Sequence, residues 1–369
     1  MRQTTRPLPV DVSEKLRPIK LPPLGAEPLV SILVANYNYG RYIGQALDSV
    51  LQQTYPNFEI IVCDDGSTDD SREIVARYCS RDARIRLVAQ ENGGMVSALN
   101  AAYRPSQGEI ICQLDADDLF LPRKLERVVE AFRQSPQSGM CFHRIVKMRN
   151  DGKTFSYPRP LFLYKGWVAV EAVCNGGLVR GGPWASGLSF RRGVTELFFP
   201  LPPRLCHLRG FQDAYLSNGA QFFTEVCSLR EPLAKLRIHS ANDASSAGFT
   251  IPRVTGSLDG WETLIGLWRN LLERHYGRAV AGRLRLEDGF PYQCFRVILR
   301  VLGGERQKDR QILPIEGVVN HIHAWRGRLV SRVMLNLPSW LSRRALELWR
   351  GESASQAALV RTARSFLRF

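Results

Sequence analysis

Over the first 140 residues the apolar positions alternate between two rhythms. "LVSILV" (29–34) is an unbroken, β-branched run, as expected of a strand buried on both faces of a parallel sheet. After the turn chemistry of "ANYNYG", Tyr42, Ile43, Ala46, Leu47, Val50 and Leu51 recur at helical spacing and predict a helix with one apolar face, which "TYPN" ends. "FEIIVC" (58–63) predicts a second strand. "DDGSTDDS" then leads into a helix with Ile74, Val75 and Tyr78 inward. Thr68 is its expected N-cap, with Asp69 and Asp70 in the first turn, where the helix dipole favours acids. "IRLVA" (85–89) and "EIICQL" (109–114) predict a third and a fourth strand, separated by "NGGMVSALNAAYR", a glycine turn entering a helix. Pro122 opens a further helix that runs to about Gln134.

Strand and helix in alternation predict an α/β fold with a mostly parallel sheet and right-handed crossovers. Ligands of such sheets bind in the crevice beyond the carboxyl ends of the strands. Asp64 and Asp65 stand at one such end, and Asp115, Asp117 and Asp118 at another, so the two groups can converge. Beyond about residue 140 the alternation weakens, and from 258 the pattern is helical and basic. The expected organisation is a Pro-rich, charged tail over 1–27, a catalytic-type α/β domain over 28–249, and a helical extension over 250–369.

The net charge of +15 points to an anionic partner. The charge is uneven: residues 326–369 hold nine Arg and no Lys, against only Glu347 and Glu352. In 341–349, Leu341, Ala345, Leu348 and Trp349 share one helical face. In 359–367, Leu359, Ala363, Phe366 and Leu367 do the same, with Arg361, Arg364 and Arg368 opposite. Basic amphipathic helices of this kind either lie on an anionic membrane surface or pack on the domain with Arg outward. The eight Cys form no CxxC pair, and Cys63 and Cys112 fall inside strand-like runs. That reads as core thiols in a reducing cytosol, not a disulfide or zinc framework. The amino-terminal segment has no signal-peptide core, and no stretch approaches the roughly 20 apolar residues of a membrane span.

"LDADDLF" (114–120) is either a solvated acidic turn or a metal site. Mg²⁺ usually takes one or two protein carboxylates and fills its remaining positions with water and phosphate oxygens, so a sparse Asp-x-Asp suits a cation shared with a diphosphate.

"VSILVANYN", "IIVCDDGSTDDS", "ENGGMVSALN" and "GEIICQLDADDLFLP", in this order and at these intervals, resemble the family 2 glycosyltransferases of the GT-A fold. The resemblance covers roughly residues 28–245. It implies a Rossmann-like mixed, mostly parallel sheet flanked by helices, with the basic helical extension added. It also implies a nucleotide-sugar donor (a UDP-sugar first, dTDP or GDP next), Mg²⁺ or Mn²⁺, and inversion at the anomeric carbon.

Residue by residue, the resemblance sets Val34, Asn36 and Tyr37 at the donor, Tyr37 against the base. Asp65 would bond base or ribose, while Asp64 braces the turn. Asn92, Gly93 and Gly94 would approach the donor. Asp115 would contact the ribose beside Ala116, and Asp117 would bind the metal, with Asp118 as its rival. "RGFQDAYLS" resembles the family's "ED" segment, which makes Asp213 the general base, with Gln212 in place of the commoner Glu. "LAKLRIHSANDASS" would bring His239 to the metal or diphosphate and Arg237 to phosphate charge. His143, His207, His275, His321 and His323 read as structural. "GGLVRGGPWASGLSFRR" falls on the acceptor side, with Trp184 a stacking candidate and Arg191 or Arg192 near phosphate.

The function expected is transfer of one sugar to an acceptor hydroxyl, in surface polysaccharide or glycolipid biosynthesis. The acceptor would be a glycan or lipid-linked, and the enzyme cytoplasmic or peripheral on the cytoplasmic membrane face. No "QxxRW" segment is present, which favours single addition over polymerisation. The competing readings are an Asp-x-Asp phosphate-processing enzyme and a nucleic-acid- or glycan-binding protein without turnover. In the first, the nucleophilic Asp would follow the first strand, where "ANYN" stands instead. Against the nucleic-acid reading, the basic residues concentrate in the tail and no recognised motif is present, so no nucleic-acid partner is expected.

Overall fold

The computed structural model describes residues 8–155, 163–177, 185–208, 210–239 and 251–289, with Tyr292, Phe295 and Leu299. Trp184, Cys294, His321, His323 and both amphipathic stretches at 341–349 and 359–367 lie outside the described residues.

Strands β1 (Val30–Asn36), β2 (Phe58–Asp65), β3 (Ile85–Gln90) and β4 (Ile110–Gln113) pair in parallel in the order β3-β2-β1-β4. Successive side chains leave opposite faces. Val30, Ile32, Val34, Ile60 and Val62 join a core with α2 (Gly40–Leu51) and α5 (Lys124–Gln134). Leu33, Ile61, Cys63 and Ile111 join the other face, against Ala98 and Ala102 of α4 (Gly94–Tyr103). Two covered faces explain the unbroken apolar runs. Each fully buried Val, Leu or Ile contributes about 1.5–3 kcal/mol, against about 1 kcal/mol for a helix cap, so burial decides where these elements lie.

The helix after β2, α3, spans Ser71–Cys79 and starts later than its sequence predicts. Asn38, in the left-handed region at φ 58, draws in the Thr68 amide (2.7 Å) and hydroxyl (3.3 Å) with its side-chain oxygen. Asp69 takes over the capping work: its carboxylate accepts from Ser71 N at 3.0 Å and from Gly40 N, opening α2, at 2.8 Å.

The remaining strands are β5 (Leu119–Phe120), β6 (Ser138–Arg149), β7 (Thr154–Phe155), β8 (Leu188–Arg191) and β9 (Glu225–Ile238). They extend the sheet to β3-β2-β1-β4-β8-β6-β9-β5, with β7 on β6. Here the sheet is mixed: β8 is antiparallel to β4 and β6, β9 is parallel to β6, and β5 is antiparallel to β9. The β6–β9 register passes from His143↔Leu229 to Arg144↔Pro232, so Arg230 and Glu231 bulge out of the ladder. Such polar interruptions hide both strands from a periodicity reading.

Short helices α1 (Val10–Ser13), α6 (Ala169–Cys174) and α7 (Arg192–Thr195) edge a second core. Its centre lies between the sheet, α8 (Phe211–Ala220) and α9 (Ile251–Tyr276). Trp261, Leu264, Ile265, Trp268 and Leu272 of α9 share that core with Phe142, Phe190, Tyr215 and Phe223. Trp268, fully buried, donates from its indole N–H to Tyr215 O at 3.1 Å. The first helix beyond residue 250 therefore belongs to the same core as the sheet.

The segment expected as a tail is also packed. Val12 and Leu16 are buried, Ile19 N donates to Phe223 O at 2.7 Å, and Tyr276 Oη donates to Arg17 O at 2.6 Å. Arg191 grips the carbonyls of Pro22 and Pro136. Residues 8–27 are a strap, because their sparse apolar side chains find slots in the second core. Among the described residues no helix is long and apolar enough to cross a membrane.

Candidate active site

The acid turn follows β4. Its downstream end is fixed by β5, whose Leu119 and Phe120 pair with Lys235 and Ala234 of β9. That pairing carries Arg237 and His239, just past the pairing, onto the turn. Arg237 N donates to Asp118 Oδ1 (2.9 Å), its Nε to Asp117 O (2.8 Å), and its guanidinium to Gln45 Oε1 (2.8 Å). His239 Nε2 lies 2.9 Å from Asp117 Oδ2. The imidazole stacks on Tyr42 (centroids 4.9 Å apart, 28° between planes) and meets Tyr39 edge-on, while the Arg237 guanidinium lies over the Tyr42 ring, 4.9 Å from its centroid.

The three acids of the turn point three ways. Asp118 is fully buried and turned inward, its Oδ2 accepting from Ser186 Oγ at 2.6 Å. Asp117 keeps a small exposed edge beside His239. Asp115 is half-buried and lies within electrostatic reach of Asp213, in the first turn of α8. Gly210, at φ 76, provides the left-handed turn that starts α8.

Burial and the neighbouring acids raise the proton affinities of Asp115 and Asp118, and burial raises that of Asp213. Asp115 is held well above the usual carboxylate range by burial, then by the charges of Asp118, Asp213 and Asp117. Burial and then the charge of Asp117 push Asp118 up to about 8, against its bonds from Ser186 and Arg237. Burial pushes Asp213 up to about 6, opposed by the amide of Ala185. Beneath them Lys124 is fully buried, drawn down to about 8 by burial, and donates to Ser186 O at 2.8 Å.

The second acid group is organised by its own neighbours. Asp64 takes Asn36 Nδ2 at 2.8 Å and Ser67 N at 3.1 Å and so braces the turn. Asp65 accepts from Gly93 N (2.9 Å), Gly94 N (2.8 Å) and Gln90 Nε2 (2.5 Å), tying β2 to the start of α4. Gly66 sits at φ 77, and a Cβ there would stand 2.8 Å from Asn92 N, so the close approach of the two loops needs glycine. Asn92 is exposed, and Tyr37 is 45% exposed at the end of β1, an unburied aromatic face at the crevice. Val34 and Ala116 are buried among apolar side chains.

Other residues lie elsewhere. Arg191 and Arg192 stand at the opposite end of the sheet, since Arg191 pairs with Ile110, the first residue of β4. An antiparallel β8 carries them away from the acid turn, and Arg192 bonds Gly108 O there at 2.6 Å. His143 is buried in the sheet, its imidazole held well below its usual range by burial and then by Lys124. His207 and His275 are exposed. Sequence reasoning missed Tyr42, Lys124 and Ser186. Lys124 had a legible signal: with Val128 and Ala131 it falls on the apolar face of α5.

The sequence profile of Glycosyl transferase family 2 matches residues 31–216, half of the chain. The chain belongs to that family. This family 2 glycosyltransferase is 36% identical over 223 residues to an uncharacterised glycosyltransferase of Nostoc, across 59% of this chain and 67% of that one. Its fold matches that of S. aureus TarS 1–349 solved with UDP-GlcNAc (TM-score 0.50, 17% identity, 92% of this chain and 91% of that one). It also matches that of the mannosyltransferase PcManGT from Pyrobaculum calidifontis, solved with GDP-Man and Mn²⁺ (TM-score 0.50, 17% identity, 92% and 93%). The architecture is thus the GT-A fold.

Among the described residues of this glycosyltransferase no three His, Cys, Asp or Glu side chains form a metal cluster. The pair Asp117 and His239 nonetheless fits a divalent cation whose other ligands are diphosphate and water, and the mutual repulsion of the acids is what such a cation would relieve.

Proposed function

We propose that this glycosyltransferase moves one sugar from a nucleoside diphosphate sugar to the hydroxyl of a glycan or lipid-linked acceptor, with inversion. The observation that carries the reading is the meeting of Asp213 with Asp115, a base candidate beside a donor-side acid, from distant parts of the chain. A half-buried carboxyl with its proton affinity raised to about 6 is ionised at neutral pH yet basic enough to take a proton from an attacking hydroxyl. Direct attack by that hydroxyl on the anomeric carbon, opposite the leaving diphosphate, inverts its configuration.

On this reading Tyr37 faces the nucleobase, Asp65 orients the Gly93–Gly94 turn toward the donor, and Asp115 meets the ribose. Asp117 and His239 would hold Mg²⁺ or Mn²⁺, and Asp118 with Arg237 fixes the turn that presents them. Bound there, the cation would stabilise the negative charge growing on the nucleoside diphosphate as it leaves. UDP is the first nucleotide to test, with GDP and dTDP beside it. The ligands of the two matched structures, UDP-GlcNAc and GDP-Man, support that choice.

A thermal-shift panel of nucleotide sugars with Mn²⁺ tests the reading, because a bound ligand raises stability by mass action. The correct donor raises the melting temperature, and Asp213→Asn keeps that shift while losing transfer. A protein that no nucleotide sugar stabilises and that transfers no sugar would end it.

A further inference from the structure

Ser186 belongs to a three-residue helical turn, Ala185–Gly187, inside the acceptor-side stretch, where sequence reasoning gave it no role. The turn runs directly into β8, held between β4 and β6, so its position is set by the middle of the sheet. Ser186 is fully buried and its hydroxyl bridges two residues: Oγ donates to Asp118 Oδ2 at 2.6 Å and accepts from Asp115 N at 3.1 Å. Its carbonyl receives the Lys124 ammonium at 2.8 Å. The neighbouring Ala185 amide donates to the Asp213 carboxylate. One turn therefore touches both ends of the acid turn and the base on α8.

We propose that Ser186, seated by Lys124, is a positioning residue that sets the placement of Asp213 relative to the donor-side acids. This deepens the proposed function and rests on it. The side chain is fully buried and its proton is committed to Asp118, so it acts through Asp115, Asp118 and the turn it anchors. Lys124 has a second reason to stay: an ammonium is the counter-charge that a buried acid cluster needs. Orientation of reacting groups is steep in its effect, and a misplacement of about 1 Å costs on the order of 100-fold in rate. On the proposed function, Tyr37 and Asp65 meet the donor from outside the acid turn, and His239 is held by its stack on Tyr42. A loosened turn should therefore lower turnover more than donor affinity.

The test compares wild type, Ser186→Ala, Ser186→Thr and Lys124→Met by steady-state kinetics, titration calorimetry with UDP and Mn²⁺, and circular dichroism for folded fraction. The donor for the kinetics is the one the thermal-shift panel selects. Expected for Ser186→Ala and Lys124→Met is a fall in kcat of about 10–100-fold, with a clearly smaller loss of nucleotide affinity and a clearly smaller rise in donor KM. Ser186→Thr, which keeps the hydroxyl, restores most of the lost kcat. If the added methyl unfolds that variant, Lys124→Met decides, because it removes the ammonium that seats the Ser186 carbonyl and leaves the Ser186 hydroxyl in place. The inference is overturned if kcat stays at the wild-type level, if it falls only in step with the folded fraction, or if nucleotide affinity falls as far as kcat. A wild-type protein that turns over no donor would overturn the proposed function itself, and this inference with it.

Discussion

His239 Nε2 stands 2.9 Å from Asp117 Oδ2, 122 residues away along the chain, with the imidazole stacked on Tyr42. The stack and the β5–β9 pairing fix both partners before any ligand arrives. If this pair binds the cation, His239→Ala should weaken Mn²⁺-dependent nucleotide binding by at least about tenfold, the loss typical of even an outer-shell metal partner. Titration calorimetry with UDP, with and without Mn²⁺, measures it. Unchanged metal dependence in both His239→Ala and Asp117→Asn would remove the pair from the metal.

Asp213 predicts the acidic limb of the pH profile. A base must be ionised, and burial raises this carboxyl to about 6, so kcat/KM should climb as pH rises through about 6 and level off above it. Asp213→Asn should lose on the order of 10²–10⁴ in rate. A variant that keeps both the rate and the limb would show that another group is the base.

The same shift has a stability consequence of opposite sense. A raised folded-state pKa means that the folded protein binds more protons than the unfolded chain between the usual carboxylate range and about pH 6. Without ligand, stability should therefore fall as pH rises through that window. Urea unfolding at pH 4.5 and pH 7 checks the sign, and a divalent cation added at pH 7 should recover part of the loss.

Gly66→Ala should cost about 1–3 kcal/mol. The residue is at φ 77, and the new Cβ would press on Asn92 N at 2.8 Å. Because the push acts between the two donor-side loops, nucleotide affinity should fall along with the melting temperature. A drop in stability alone would mean that the loops do not reach the donor.

Cutting the chain after residue 249 should abolish folding and not yield a free-standing domain. The cut removes Trp261, Leu264 and Trp268 from the second core and uncovers Tyr215 on the helix that carries Asp213. Within the full chain, Trp268→Ala should cost about 3–5 kcal/mol. A cooperative melt of the 1–249 fragment would contradict this.

The first four strands were legible because both faces of β1, β2 and β4 are covered, and the alternation then runs as continuous apolar text. β6 and β9 were not, because Arg144, Lys147, Arg230 and Glu231 interrupt them and a bulge shifts their register. The acids of the turn were legible as a group but not in their directions. Adjacent Asp117 and Asp118 look alike in sequence, and only the bonds from Ser186 and Arg237 turn Asp118 inward. Residues 8–27 read as a tail because their apolar residues follow no period; they fill separate slots, and no helix or strand face organises them. Arg191 and Arg192 were misplaced because sequence order does not reveal that β8 runs antiparallel to β4.

The parallel pairing of β6 with β9 also bears on synthesis. Strands β1 to β4 have all emerged from the ribosome before the acid turn does, whereas His239 follows Asp117 by 122 residues. At about 5–20 residues per second that gap lasts roughly 6–25 s. For that time the nascent chain holds a clustered set of carboxylates without the arginine and histidine that close over it. The half of the sheet built first must therefore persist with Lys124 as the early counter-charge to its acids, and the crevice closes only when β9 arrives.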